Sequence, residues 1–253
     1  MMTDRNYFIH KNYAHRGLHN LKKGIPENSL AAFKAAVDAG YGVELDVQLT
    51  KDGQVVVMHD LNLKRACGID DLVENYDYDE LRKMKIFNTD ETIPLFSDVL
   101  KVLEEKPADL VCEIKPRVRI GELCEKTWEI LKTYKGNFCV ESFDPRITHW
   151  FKTHAPEVVR GLLSESFDEW KKMPGFVKDI LSNCKLLTYC KPDFVAYENK
   201  KRPKEVIQKC KDRNILLFGW VSREPDVDQA QNDAVIFENY LPAPTYKQAS
   251  SGR

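Results

Sequence analysis

The sequence predicts an α/β fold of the TIM (β/α)8-barrel type, and three observations point to it. The chain is 253 residues long, which matches a single barrel of about 250 residues. Short β-like runs alternate with amphipathic helical runs, the pattern of a parallel sheet wrapped by helices. Ionisable residues gather at the ends of those β-like runs, where such a barrel builds its active site.

The first strand is read at Asn12–Ala14 and ends on His15-Arg16-Gly17. Asn28-Ser29 is a good N-cap for a helix over Leu30–Ala39, with Leu30, Phe33 and Val37 on one face and Gly40 as the stop. The second strand is Gly42–Thr50. Lys51-Asp52-Gly53 then joins two strand-like runs, and Asp-Gly in that position signals a hairpin. Gln54–Met58 is therefore expected to run antiparallel and to return His59-Asp60 to the rim beside Asp46. Residues 61–94, rich in Asp, Asn and Lys, are read as a small insertion after the His59 strand, with one short helix over Asp77–Met84.

The regular pattern resumes with a helix over Ser97–Glu105 and a third strand over Leu110–Ile114. The remaining strands are read at Phe138–Glu141, Val158–Leu163, Phe194–Tyr197, Ile215–Trp220 and Ala234–Glu238, which makes eight without the hairpin return. Asp144-Pro145 caps the helix after the fourth strand, with proline at N1. The expected organisation is one domain over 1–253: a barrel over about 12–242, the insertion over about 61–94, and a poorly ordered tail over 243–253.

With 43% hydrophobic and 30% charged residues, the chain can build a sizeable core. Lys and Arg number 38 against 39 Asp and Glu, and no basic stripe marks a nucleic-acid or membrane-surface binder. The seven cysteines are scattered without a Cys-x-x-Cys pair, so they read as reduced thiols. The first residues lack the apolar run of a signal peptide, and no stretch reaches the roughly 20 apolar residues of a membrane span. A cytoplasmic protein with a small-molecule partner, no nucleic acid and no stable membrane insertion is expected.

Glu44 and Asp46 stand two apart on a strand, so both side chains leave the same face. Two carboxylates among Val and Leu repel each other unless a cation joins them. Glu113, at the end of the next strand, offers a third oxygen ligand. An all-oxygen set suits one divalent cation of the Ca2+ or Mg2+ kind, with Mn2+ also admissible. The competing reading is a structural salt-bridge network with Arg16 and Lys115. His15 and His59, both at strand ends, have the proton affinity that phosphodiester cleavage requires of an acid and a base. Arg16 and Lys115 provide positive charge for phosphoryl oxygens, and Trp220 offers an apolar wall or is simply core.

These same residues carry a family resemblance. Ala14–Gly17 (AHRG), Pro26–Ser29 (PENS), Glu44–Val47 (ELDV), Thr50–Gly53 (TKDG), Val56–Asp60 (VVMHD) and Glu113–Lys115 (EIK) occur in an order and spacing that resemble the glycerophosphodiester phosphodiesterases, phospholipase-C-like phosphodiesterase barrels. The resemblance runs from about Ala14 to Pro242. It implies that His15 and His59 act as general acid and base, and that Glu44, Asp46 and Glu113 hold the cation. It also implies that Arg16 and Lys115 contact the phosphate, and that Glu27 lies near the site in a role it does not fix. Val221-Ser222-Arg223 and Glu238-Asn239 depart from the family's usual Thr-x-Asn and Thr-Asp, on the rim that faces the alcohol parts of the substrate.

The implied activity is metal-dependent hydrolysis of a glycerophosphodiester to glycerol 3-phosphate and an alcohol. Lysophospholipid hydrolysis of the phospholipase D type is the nearest rival, and a catalytically silent glycerophosphodiester-binding module is the rival from another class. An aldolase-like Schiff base on Lys115 is disfavoured because the neighbouring acids keep that amine protonated.

Overall fold

The computed structural model describes residues 4–115, 117, 119–223 and 225–247. Its strands form one nine-stranded sheet in the order β1-β9-β8-β7-β6-β5-β4-β2-β3, with β1 also paired to β2. Only β3 pairs antiparallel in the ladders described, so eight strands close the parallel barrel that the sequence predicts, with helices around it. The described chain divides into two compact units, one over Tyr13–Phe138 and the other made of the remaining residues.

In the first unit, β1 (Asn12–Ala14) pairs parallel with β2 (Gly42–Leu49), and Tyr13 lies opposite Gly42. Between them lies α1 (Leu30–Asp38), whose N-cap Ser29 accepts from the Ala32 amide at 3.1 Å. The buried face of α1 is Ala32, Phe33, Ala36 and Val37. Leu30, expected on that face, is half-buried because it opens the helix. The strand β2 is buried on both faces, as befits a parallel strand with neighbours on either side.

The hairpin expected at Lys51-Asp52-Gly53 forms. Gly53 has a φ of 77°, and β3 (Val55–Val57) runs antiparallel to β2 with Val47 opposite Val57. The insertion that follows contains α2 (Lys64–Cys67), a 3-10 turn over Val73–Asn75 and α3 (Tyr78–Leu81). The helix expected over Asp77–Met84 is thus the shorter α3, with Asp77 as cap and Glu80 closing a capping box. Leu63, Ala66, Val73, Leu81, Ile86 and Ile93 pack with Val56 and Met58 of the hairpin in a small core. The insertion is therefore anchored to the very segment that delivers His59. After it come α4 (Phe96–Glu105), β4 (Leu110–Ile114) and α5 (Ile120–Leu131).

The second unit continues β5 (Phe138–Ser142), α6 (Pro145–His154), β6 (Val159–Ser164), α7 (Gly175–Ser182), α8 (Leu187–Cys190), β7 (Phe194–Glu198), α9 (Lys204–Asp212), β8 (Leu216–Ser222), α10 (Pro225–Gln231) and β9 (Ala234–Phe237). The expected cap at α6 is present, with Asp144 accepting from the Arg146 amide at 2.9 Å and Pro145 at the first helical position. Residues expected in a poorly ordered tail are held as far as Tyr246. The Asn12 amide donates to the Pro244 carbonyl at 2.9 Å, and the Tyr246 amide donates to His10 at 2.9 Å. Positions 248–253 of that tail lie outside the described residues. All seven cysteines are free.

Candidate active site

The site grows from the ends of β1, β2 and β4 and from the hairpin return. After Ala14 the backbone turns sharply, with Arg16 at a φ of 54° and Gly17 at 77°. A Cβ on Gly17 would lie 2.8 Å from the Ala32 carbonyl carbon, so only glycine lets α1 approach this closely. The turn brings the Arg16 amide to Glu44 Oε2 at 3.1 Å and His15 Nε2 to within 4.0 Å of the same oxygen.

The parallel register of β2 and β4 sets Asp46 opposite Glu113. Each of Glu44, Asp46 and Glu113 is buried, and each offers a carboxylate oxygen within 4.8 Å of the others, an arrangement able to hold a metal ion. Lys115 Nζ lies 2.8 Å from Asp46 Oδ1 and 2.7 Å from Glu113 Oε1. The salt-bridge network and the ligand cluster, weighed as alternatives in the sequence, thus share Asp46 and Glu113.

Burial works against every charge here, and the balance differs from group to group. For Asp46 the burial penalty is overcome by Lys115, His59 and Arg16, which hold its carboxyl well below the usual carboxylate range. For Glu113 burial prevails over the attraction of Lys115, and repulsion from Asp46 adds to it, so the carboxyl is pushed up to about 7. Lys115 is opposed by burial but raised by both acids, which keeps it a protonated ammonium and not a Schiff-base nucleophile.

His59 donates or accepts through Nδ1 at 2.7 Å from Asp60 Oδ1. With the proton on Nδ1, Nε2 is the acceptor nitrogen of the ring. The peptide carrying it is pinned from below by Gln48, whose Nε2 donates to the Met58 carbonyl at 2.7 Å and the Asp60 carbonyl at 2.8 Å. Glu27, whose role was open in the sequence, accepts from Arg16 Nη1 at 2.7 Å. Arg16 Nε also stands 3.6 Å from Asp46 Oδ2.

Sequence reasoning missed three contributors. Gln48 lies two residues beyond Asp46 on the face shared with Glu44, a periodicity that was available to find it. Asn28, read as part of a cap and of the Pro26–Ser29 motif but given no role in the site, donates through Nδ2 to Asp46 Oδ2 at 2.8 Å while its buried Oδ1 has no hydrogen-bond partner among the described residues. Arg65 of α2 joins Asp60 to Glu27. Trp220 lies in the second unit, half-buried, with its ring edge-on to Phe143 at 5.6 Å. At the ends of β5 and β7, Ser142 Oγ accepts from the Asp144 amide at 3.1 Å, and Tyr197 is core, its hydroxyl donating to the Ser182 carbonyl at 3.0 Å.

A model of the glycerophosphoryl diester phosphodiesterase family matches residues 15–238, a span that begins at His15 and includes every residue of this site. The chain belongs to that family. A glycerophosphodiester phosphodiesterase of Caldanaerobacter subterraneus is 30% identical over 227 residues, covering 85% of this chain and 87% of its own. The lysophospholipase D of Rattus norvegicus is 36% identical over 143 residues, covering 51% of this chain and 43% of its own. Among solved structures, an Oleispira antarctica phosphodiesterase in complex with the product sn-glycerol-3-phosphate superposes with a TM-score of 0.74 at 22% identity, covering 90% of this chain and 93% of its own. This member of the family is thus an enzyme, a phosphoric diester hydrolase of the glycerophosphodiester phosphodiesterase type. No helix among the described residues is long and apolar enough to cross a membrane.

Proposed function

We propose that the chain hydrolyses water-soluble glycerophosphodiesters to glycerol 3-phosphate and an alcohol, with one divalent cation of the Ca2+ or Mg2+ kind. The observation that carries this reading is the buried trio Glu44, Asp46 and Glu113, with His15 at 4.0 Å from Glu44 and the Asp60-bonded His59 close enough to Asp46 to help hold its carboxyl low. The donor set is all oxygen, and the unpartnered Asn28 Oδ1 beside Asp46 adds a neutral acceptor. Such donors fit a hard cation better than zinc, which favours nitrogen and sulfur.

When bound, the cation would polarise the phosphoryl group and offset the charge of the acids. Arg16 and Lys115 add fixed positive charge for the phosphoryl oxygens in a buried setting where it is poorly screened. One of His15 and His59 removes the proton from the attacking oxygen, which is a water or the substrate's own 2-hydroxyl; in the latter case the cyclic phosphate that forms is opened by a water to glycerol 3-phosphate. The other gives a proton to the alcohol oxygen as its bond to phosphorus breaks. Trp220 is assigned to the carbon skeleton of the substrate, beside Phe143.

The test is release of glycerol 3-phosphate from glycerophosphocholine and glycerophosphoethanolamine, with EDTA and then with Ca2+, Mg2+ or Mn2+ restored. Activity abolished by EDTA and recovered with a cation supports reaction and cofactor together. The likeness to a lysophospholipase D favours a second reading, in which a lysophospholipid is the better substrate. Turnover of lysophosphatidylcholine with none of glycerophosphocholine would replace the first reading by the second.

A further inference from the structure

The guanidinium of Arg65 is held between two carboxylates at the edge of the site, through hydrogen bonds none of which goes to a residue assigned to the chemistry. Its Nε donates to Asp60 Oδ2 at 2.6 Å and its Nη2 to Asp60 Oδ1 at 3.0 Å. Toward the other side, Nη2 also donates to Glu27 Oε1 at 2.7 Å, and Nη1 donates to Glu27 Oε2 at 3.0 Å. Both carboxylates are therefore gripped in fork geometry by one planar cation, an arrangement that lysine, as a point charge, does not reproduce. The Phe87 ring supports the plane from one side, with the guanidinium carbon 5.2 Å from its centroid.

Each carboxylate holds a different functional side chain with the oxygen that faces it. Asp60 Oδ1 is 2.7 Å from His59 Nδ1, and Glu27 Oε1 is 2.7 Å from Arg16 Nη1. The result is one chain of contacts, His59–Asp60–Arg65–Glu27–Arg16, with Arg65 at its centre. Arg65 belongs to α2, in the insertion, whose small core is shared with the hairpin through Val56 and Met58.

We infer that Arg65 is a positioning residue that orients the His59 imidazole through Asp60 and the Arg16 guanidinium through Glu27, so that the insertion is part of the catalytic apparatus. The inference rests on the reading of His59 and Arg16 given above. Without Arg65, Asp60 and Glu27 would each lose their forked partner and keep only the contacts to His59 and Arg16. Asp60 would be free to swing away from His59 Nδ1, and Glu27 to pull Arg16 from its place beside Asp46. A loss of orientation on the His59 arm lowers kcat, since it affects proton transfer. A loss on the Arg16 arm raises KM, since it affects the hold on the phosphate.

The experiment compares Arg65→Gln, Arg65→Lys, Asp60→Asn and Glu27→Gln by kcat and KM on the best glycerophosphodiester, with the restored cation and with Tm measured in parallel. Arg65→Gln should lower kcat about 10- to 10²-fold, the range for residues that orient catalytic groups at one remove, and raise KM as well. Asp60→Asn should reproduce the kcat effect and Glu27→Gln the KM effect, while Arg65→Lys should recover only part of either. The double variant Asp60→Asn/Arg65→Gln should cost no more in kcat than the worse single one, as expected of residues acting as a unit.

Wild-type turnover that is lost in His59→Ala, together with unchanged kcat and KM in both Arg65 variants, overturns the inference and leaves the functional reading standing. A fall in kcat matched by loss of folded protein, at unchanged KM, overturns it too. Wild-type protein without turnover of any glycerophosphodiester refutes the functional reading instead. If Arg65→Gln does not fold, Arg65→Lys and Phe87→Leu decide the matter, because each keeps a cation between the two acids while the first removes its fork and the second the ring beside it.

Discussion

Asp46 and Glu113 stand opposite one another across two parallel strands, and the Lys115 ammonium bridges them at 2.8 and 2.7 Å. The two acids are nonetheless unequal, with Asp46 held low by its cationic neighbours and Glu113 pushed up to about 7 by burial. A divalent cation requires the ionised form of its ligands. Below about pH 7 its binding must therefore displace a proton from Glu113, and above that pH it need not. We predict that cation affinity rises with pH up to about 7 and then levels off, with proton release at about pH 6. Calorimetry of Ca2+ or Mg2+ binding in buffers of different ionisation enthalpy reads this directly. Heats that do not depend on the buffer at about pH 6 would sink the idea.

The histidines give the second prediction. His15→Ala and His59→Ala should each lower kcat by at least about 10²-fold if the imidazoles are general acid and base. Steady-state kinetics with a glycerophosphodiester and the restored cation check this, and unchanged turnover in both variants would remove the assignment.

Much of the candidate site is legible in the sequence, because its signals are local. Glu44 and Asp46 declared a shared face by their spacing, and Lys51-Asp52-Gly53 declared the hairpin that returns His59 to them. Arg65 lies 38 positions from Glu27, and its partnership depends on how an irregular insertion folds, which no periodicity encodes. Trp220 was ambiguous for another reason: a tryptophan on a strand reads alike as core or as a substrate wall, and it is half-buried with its Nε1 lacking a hydrogen-bond partner among the described residues. The one short helix read after the hairpin, over Asp77–Met84, is present as the shorter α3, whereas α2 was not legible, because four residues without a side-chain cap leave too little pattern.

Acid stability should depend on the same ion chain. Burial would raise the Asp60 carboxyl, but its bonds to His59 and Arg65 outweigh that and hold it below the ordinary aspartate value. Glu27 is likewise lowered, burial being outweighed by Arg65 and Arg16. A carboxyl whose folded pKa is depressed stabilises the protein above its unfolded pKa, and that contribution is lost as pH falls through the folded pKa. We predict that Tm declines as pH is lowered through and below the usual carboxylate range, and that Asp60→Asn flattens this decline. The variant should melt below wild type at neutral pH and approach it in acid. Parallel melting curves for the two proteins in acid would contradict the prediction.

The turn after β1 offers a test of how tightly backbone and chemistry are joined. Gly17 has a φ of 77°, and a Cβ there would lie 2.8 Å from the Ala32 carbonyl carbon and 2.9 Å from its Cβ. Gly17→Ala thus meets two penalties, an unfavourable left-handed conformation and a collision with backbone that has no flexible end to move. The conformational cost alone is about 1–2 kcal/mol. Relief requires α1 to shift or the turn to open, and either motion carries His15 and Arg16, the two residues just before the glycine, away from Glu44. We predict a destabilisation of at least about 1 kcal/mol in denaturant unfolding, accompanied by a loss of turnover larger than the loss of folded protein explains. A variant as stable as wild type would show that the turn yields without strain. A destabilised variant with normal kcat would show that His15 and Arg16 keep their places independently of it.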